Sequence, residues 1–156
     1  MNKDYGSTNE ENDYKLLEDF NKFLKLEDLG RCPSNAATDA SGHTTDGRYV
    51  NIELKRRFID IGTYSSIYLE THKCGDMLLD YVVDNKIPLY INFLDDGYVV
   101  TFNLAELKHR PKKVEKKIYS KLYDGFEIAK RVELLIEDAW VYQKINDRYK
   151  LLQKPR

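Results

Sequence analysis

With 156 residues, of which 42% are apolar and 12% aromatic, the chain has the length and composition of one globular domain able to bury a core. No apolar run reaches membrane-spanning length, and the N-terminus lacks the basic and apolar blocks of a signal peptide, so a cytoplasmic protein is expected. Cys32 and Cys74 are too few to staple a domain of this size and read as free thiols of a reducing compartment. The net charge of -1 hides an uneven distribution: residues 1–30 carry eight acids against four bases, and residues 108–123 carry seven Lys or Arg against Glu115 alone. A local basic patch on a near-neutral chain can still gather phosphates, because screening limits each charge to about 10 Å.

In chain order, residues 1–9 are polar and expected to fray. Thr8-Asn9-Glu10-Glu11 fits a capping box, and Leu16, Leu17, Phe20, Phe23 and Leu24 follow at helical spacing, predicting a helix over about 10–26 that ends before Gly30. Residues 31–45 are small and polar. From Arg48 to Lys55 the chain alternates, with Val50, Ile52 and Leu54 on one face and Tyr49, Asn51, Glu53 and Lys55 on the other, predicting a strand with one buried face. Ser66–Glu70 reads as a short strand, and Met77, Leu78, Tyr81 and Val82 predict a helix over about 74–85 stopped by Pro88. Leu89–Leu94, Asp95-Asp96-Gly97 and Tyr98–Leu104 form the clearest hairpin. Val114, Ile118 and Leu122 predict a basic helix after Pro111, and Val132, Leu134 and Ile136 a last strand within 131–138. The expectation is a mixed α/β unit over residues 1–156, with 108–156 as a C-terminal basic helix and strand extension.

Hydrolysing a phosphodiester near neutral pH needs a cation, an activated water and a group near the developing oxyanion. Mg²⁺ takes oxygen ligands, commonly one or two carboxylates plus water and phosphate. A carboxylate and an ammonium two residues apart on a strand project to the same side, so Glu53 could hold the metal while Lys55 orients the water or stabilises charge. The acid–X–Lys pattern also occurs at Asp13, Asp84, Glu106 and Glu115, but only Glu53 lies inside an alternating strand with a free Asp on the segment before it. A three-residue loop over 45–47 with Gly47 left-handed would set Thr44 opposite Arg48 and Asp39 opposite Glu53, so both carboxylates would share a face. A two-residue Asp46-Gly47 turn would instead oppose Asp39 to Leu54, on the apolar face.

Ala37-Thr38-Asp39, followed after thirteen residues by Glu53-Leu54-Lys55, resembles the PD-(D/E)XK, or restriction-endonuclease-like, nuclease superfamily, in a small phage-type or resolvase-like form. Thr38 stands where the nominal motif has Pro. The resemblance covers about residues 10–94 and implies a helix, three antiparallel strands, a helix and a further strand, with a central mixed sheet flanked by helices. It also implies metal-dependent DNA hydrolysis, with Asp39 and Glu53 as ligands of Mg²⁺ (Mn²⁺ substituting) and Lys55 as the third catalytic group. Because so small a domain covers one scissile phosphate, cutting two strands implies a homodimer.

Supporting groups are expected at Asp13, on the inward edge of the first helix, and at Glu70, His72 and Lys73, where the second helix begins. DNA contacts are expected from Arg56 and Arg57 and from the run of Lys108, Arg110, Lys112, Lys113, Lys116 and Lys117, with Tyr119 and Tyr123 available to stack. Two rival readings stand beside the nuclease: an inactive member of the same fold that binds nucleic acid, and a small phage-borne protein-binding inhibitor whose acidic N-terminus meets a basic partner.

Overall fold

The computed structural model describes residues 3–121 and 124–156, with side chains from residue 9 onward. The first helix, α1 (Lys3–Leu24), begins five residues before the expected cap, so Thr8 lies inside the helix and residues 3–9 extend it rather than fray. It ends at Leu24, earlier than predicted, because Lys25 turns left-handed (φ 58) and the Asn21 carboxamide binds both the N–H and the C=O of Leu26. A local side-chain bridge of this kind competes directly with the next helical turn. The strands β1 (Glu27–Arg31), β2 (Ala40–His43) and β3 (Tyr49–Arg57) follow, antiparallel in sequence. Next come β4 (Ser66–Glu70) and α2 (Thr71–Asp84), as a crossover to β5 (Ile87–Leu94), which pairs parallel with β3. Left-handed Asn85 caps α2 through its N–H to Tyr81; the expected stop, Pro88, instead sits buried inside β5, opposite Asn51.

The predicted hairpin is present: β5 turns through Asp95-Asp96-Gly97, with Gly97 at φ 81, into β6 (Tyr98–Asn103). The remainder differs from expectation. Residues 112–120 are a strand, β7 (Lys112–Ser120), paired with β8 (Gly125–Leu135), not a basic helix. Val114 and Ile118 are four residues apart, an even spacing that shares a face in a strand as well as in a helix; Leu122 and Tyr123 lie outside the described residues. The strand expected within 131–138 is the end of β8, closed by a 3-10 turn at Ile136–Asp138. β9 (Trp140–Ile145) and β10 (Arg148–Gln153) were not anticipated; Asn146-Asp147, both at positive φ, form the two-residue turn between them.

Among the described residues these strands form a mixed seven-stranded sheet, β1-β2-β3-β5-β6-β9-β10, and a three-stranded sheet, β4-β8-β7. Leu17 and Phe20 of α1, both at 0% exposure, cover one face of the large sheet against Val50, Ile52, Ile91 and Tyr142. α2 and the small sheet cover the other face: Met77, Ile67, Leu69, Val132 and Leu134 pack on Tyr90, Val100 and Phe102. β3 is therefore buried on both faces, contrary to the expected single one, and Asn51, whose amide donates to Asp80 of α2 at 3.1 Å, has no solvent side. Among the described residues, no helix is long and apolar enough to cross a membrane, and Cys32 and Cys74 are free.

Phe20 meets Phe23, Phe93, Tyr142 and Tyr149 at ring distances of 4.9–6.2 Å. Phe20→Ala should cost about 3–5 kcal/mol through lost burial and the cavity left behind, lowering Tm by roughly 10 °C. A thermal or urea melt reads this, and a loss below about 1 kcal/mol would mean that α1 is not packed as described.

Candidate active site

The β2–β3 hairpin decides whether the acidic pair exists. Its ladder pairs Ala40 with Ile52, Ser41 with Asn51, Gly42 with Val50 and His43 with Tyr49. Gly47 takes φ 88 and donates to Thr44 O, and Thr44 N–H donates to Arg48 O, so the loop is the three-residue one. The ladder ends at Ala40, and Asp39 leaves its regular step. Its backbone N–H reaches Ile52 O, and its Oδ2 accepts the Leu54 N–H at 2.8 Å. That hydrogen bond fixes the exposed Asp39 carboxylate at the mouth of a cleft, with its second oxygen directed to neither backbone group.

The cleft measures about 280 Å³ and is lined from four sides: Asp13 and Tyr14 of α1, Asp39 on the approach to β2, Glu53 and Lys55 of β3, and Glu70 and Lys73 at the β4–α2 junction. Glu53 is 4% exposed and is paired to Lys73 Nζ at 2.5 Å. Burial, reinforced by the Asp39 carboxylate, raises its pKa from 4.5 to about 7, and Lys73 only partly offsets this. Lys73 is itself pulled both ways: burial lowers its pKa, but the bond to Glu53 and the charges of Glu53, Glu70 and Asp39 raise it on balance. At Glu70 burial pushes the carboxyl up, yet its backbone N–H together with Lys73 and Lys55 holds it below the ordinary value. Burial raises Asp13, with Asp39 adding to the rise and Arg56 and Lys55 opposing it. The cleft thus concentrates more negative than positive charge around a carboxylate that is costly to ionise without a further cation.

Tyr90 closes the cleft floor at 1% exposure, a residue the sequence reading passed over. Burial pushes its phenol up to about 12, so it stays protonated and donates to Tyr68 O at 2.8 Å. A tyrosine at mid-strand in an otherwise aliphatic run was the available signal, since its buried hydroxyl needs a partner. Arg57 completes this network, donating to Asn92 Oδ1 at 2.8 Å, to Tyr90 Oη at 2.7 Å and to Tyr68 O at 2.5 Å. Its guanidinium, expected on DNA, is engaged in tying β3, β4 and β5 together. His72 is exposed and does not line the cleft. The basic run does not form one face either. Lys108 and Arg110 precede β7, and strand alternation sends Lys112 and Lys116 to one side of it and Lys113 and Lys117 to the other.

Among the described residues no three His, Cys, Asp or Glu side chains cluster as a metal-ligand set. The acids that line the cleft include Asp39, whose charge acts on Glu53. Oxygen donors of this kind do not make a structural zinc site and suit a hard divalent cation.

No protein-family profile matches the sequence, and no curated protein matches it. Among solved structures the chain is similar to Hjc, a Holliday junction resolvase from the archaeal hyperthermophile Archaeoglobus fulgidus. The TM-score is 0.51 at 11% sequence identity, over 80% of this chain and 84% of that one. At this identity the likeness concerns the fold. The chain has a restriction-endonuclease-like fold, with a central mixed sheet flanked by helices.

Proposed function

We propose that this protein is a divalent-metal-dependent endonuclease that hydrolyses DNA phosphodiester bonds and belongs to the PD-(D/E)XK superfamily. The observation that carries the proposal is that Asp39 and Glu53 line one cleft with Lys55 and Lys73, near enough for the Asp39 charge to act on Glu53. Asp39 and Glu53 would hold Mg²⁺ or Mn²⁺, which when bound neutralises phosphate charge and lowers the pKa of water. Lys55, exposed at the rim, orients the attacking water or stabilises the charge that develops on phosphate. Asp13 and Glu70 face the same space and tune its charge. Cutting both strands of a duplex would take two copies, and sedimentation of the protein with and without DNA reports on that homodimer.

One observation favours a second reading, a nuclease fold that binds nucleic acid without cutting it: Lys73 already occupies the carboxylate that would hold the metal. A cleavage screen separates the two readings. Linear, single-stranded, branched and supercoiled DNA are incubated with Mg²⁺ or Mn²⁺, with Asp39→Asn as control. Cleavage that needs the metal and falls by at least about 100-fold in Asp39→Asn is the expected result, since ligand loss removes a large share of electrostatic catalysis. Salt-sensitive binding with no turnover on any substrate would establish the second reading instead.

A further inference from the structure

A second groove, of about 600 Å³, begins where the cleft ends and shares Lys55 with it. Its walls are the end of β3, the 58–65 loop, β4 and the outward face of the β7–β8 hairpin. Lys55, Arg56, Lys116 and Arg131 line it, and none of the four is in an ion pair among the described residues. The acid in its lining is Glu115, whose side chain alternates to the far face of β7, opposite Lys130. The same groove is lined by three aromatic rings: Phe58 is 75% exposed, Tyr64 61% and Tyr68 37%. The Arg56 guanidinium stands 5.3 Å over the Phe58 ring, so charge and ring meet directly in the groove.

Cations alone would suit any phosphate backbone, duplex included. Exposed rings among them do not, because the base faces of a duplex are already stacked on one another. Only an unpaired strand presents bases that can lie on Phe58, Tyr64 and Tyr68 while its phosphates meet the Lys and Arg side chains. We infer that this groove holds an unpaired DNA strand leading into the cleft, so that the substrate is a DNA carrying single-stranded character beside the cut: a fork, flap or opened junction. The inference rests on the nuclease reading for the cleft, but the groove can be tested without turnover.

The test measures fluorescence anisotropy in EDTA, using a labelled oligo(dT) of about 20 nucleotides and a blunt duplex of the same length. Wild-type protein should bind the single strand at least about 10-fold more tightly, and 2-aminopurine placed within it should be quenched on binding. Phe58→Ala combined with Tyr64→Ala should weaken single-strand binding by about 10-fold or more and abolish the quenching, with duplex binding nearly unchanged. Both rings are largely in solvent, so an unaltered thermal melt is expected of that variant. Equal affinity for the two DNAs, single-strand binding indifferent to ring removal, or tighter binding of oligo(U) than oligo(dT) would each overturn the inference. Metal-dependent cutting of blunt duplex at the same rate as a fork would overturn it while leaving the nuclease intact. Ring-dependent single-strand binding without cleavage of any substrate would uphold the groove and reject the nuclease.

Discussion

Glu53→Gln is expected to lose metal-dependent cleavage by about 1000-fold or more, the scale of a removed electrostatic group, and yet to melt at a higher temperature than wild type at about pH 8. The two effects have one cause. Glu53 has its pKa raised from 4.5 to about 7, chiefly by burial. A carboxyl raised on folding binds more protons in the folded chain than in the unfolded one between those two values. Stability therefore falls as pH climbs through that window, and above it the full cost of a buried charge remains. That cost is on the order of 3 kcal/mol before relaxation. Gln removes the charge and keeps an oxygen for Lys73, which loses its attraction to Glu53, so a net gain of roughly 1–3 kcal/mol is expected, about 5 °C in Tm. Melts at several pH values check this: the gap between variant and wild type should be small near pH 4.5, widen as pH climbs to about 7 and stay constant above it. Adding Mg²⁺ should raise the melting temperature of wild type and not of the variant, a readout independent of cleavage. A variant less stable than wild type at high pH would remove the argument that Glu53 is held ready for a cation.

Lys73→Met attacks the same centre from the other partner. Lys73 now supplies the positive charge that keeps Glu53 partly ionised, and its removal leaves the carboxyl facing burial and Asp39 alone. The pKa of Glu53 should rise further, so cleavage near pH 7 should fall by about 100-fold and recover as the pH approaches 9, where the carboxylate forms again. This pH-dependent recovery marks Lys73 as a positioning residue; a group acting directly on the reacting atoms would leave a deficit at every pH. Lys73→Arg should restore most activity at neutral pH by replacing the charge. A loss in Lys73→Met that is the same from pH 6.5 to 9 would reject the role assigned to the Glu53–Lys73 pair.

Local pattern carried much of this molecule. The β5–β6 hairpin needs only alternation on both sides of Asp95-Asp96-Gly97, and Ser66–Glu70 alternates as β4 does, because one neighbouring face decides what such segments bury. The basic segment was illegible for the opposite reason. Val114 and Ile118 suit either period, and β8, which settles the choice, lies beyond a turn. The short β9 and β10 carried one usable mark, Asn146-Asp147; otherwise β9 depends on pairing with β6, and β10 on β9.

For the site, the sequence by itself determined which residues were candidates: Asp39, Glu53 and Lys55 follow from motif and alternation, because strand geometry is local. Tertiary structure decided what they became. The bond from the Leu54 N–H holds Asp39 at the cleft that Glu53 lines, and α2, folded over β3, buried Glu53 and gave it Lys73 from twenty residues away. The same packing took Arg57 into the Tyr90–Asn92 network and left Lys116 and Arg131, distant in sequence, beside Lys55 in one groove. Burial, charge pairing and the cost of an unaccompanied carboxylate depend on which segments meet in space, and that is not written in the spacing of residues along any one strand.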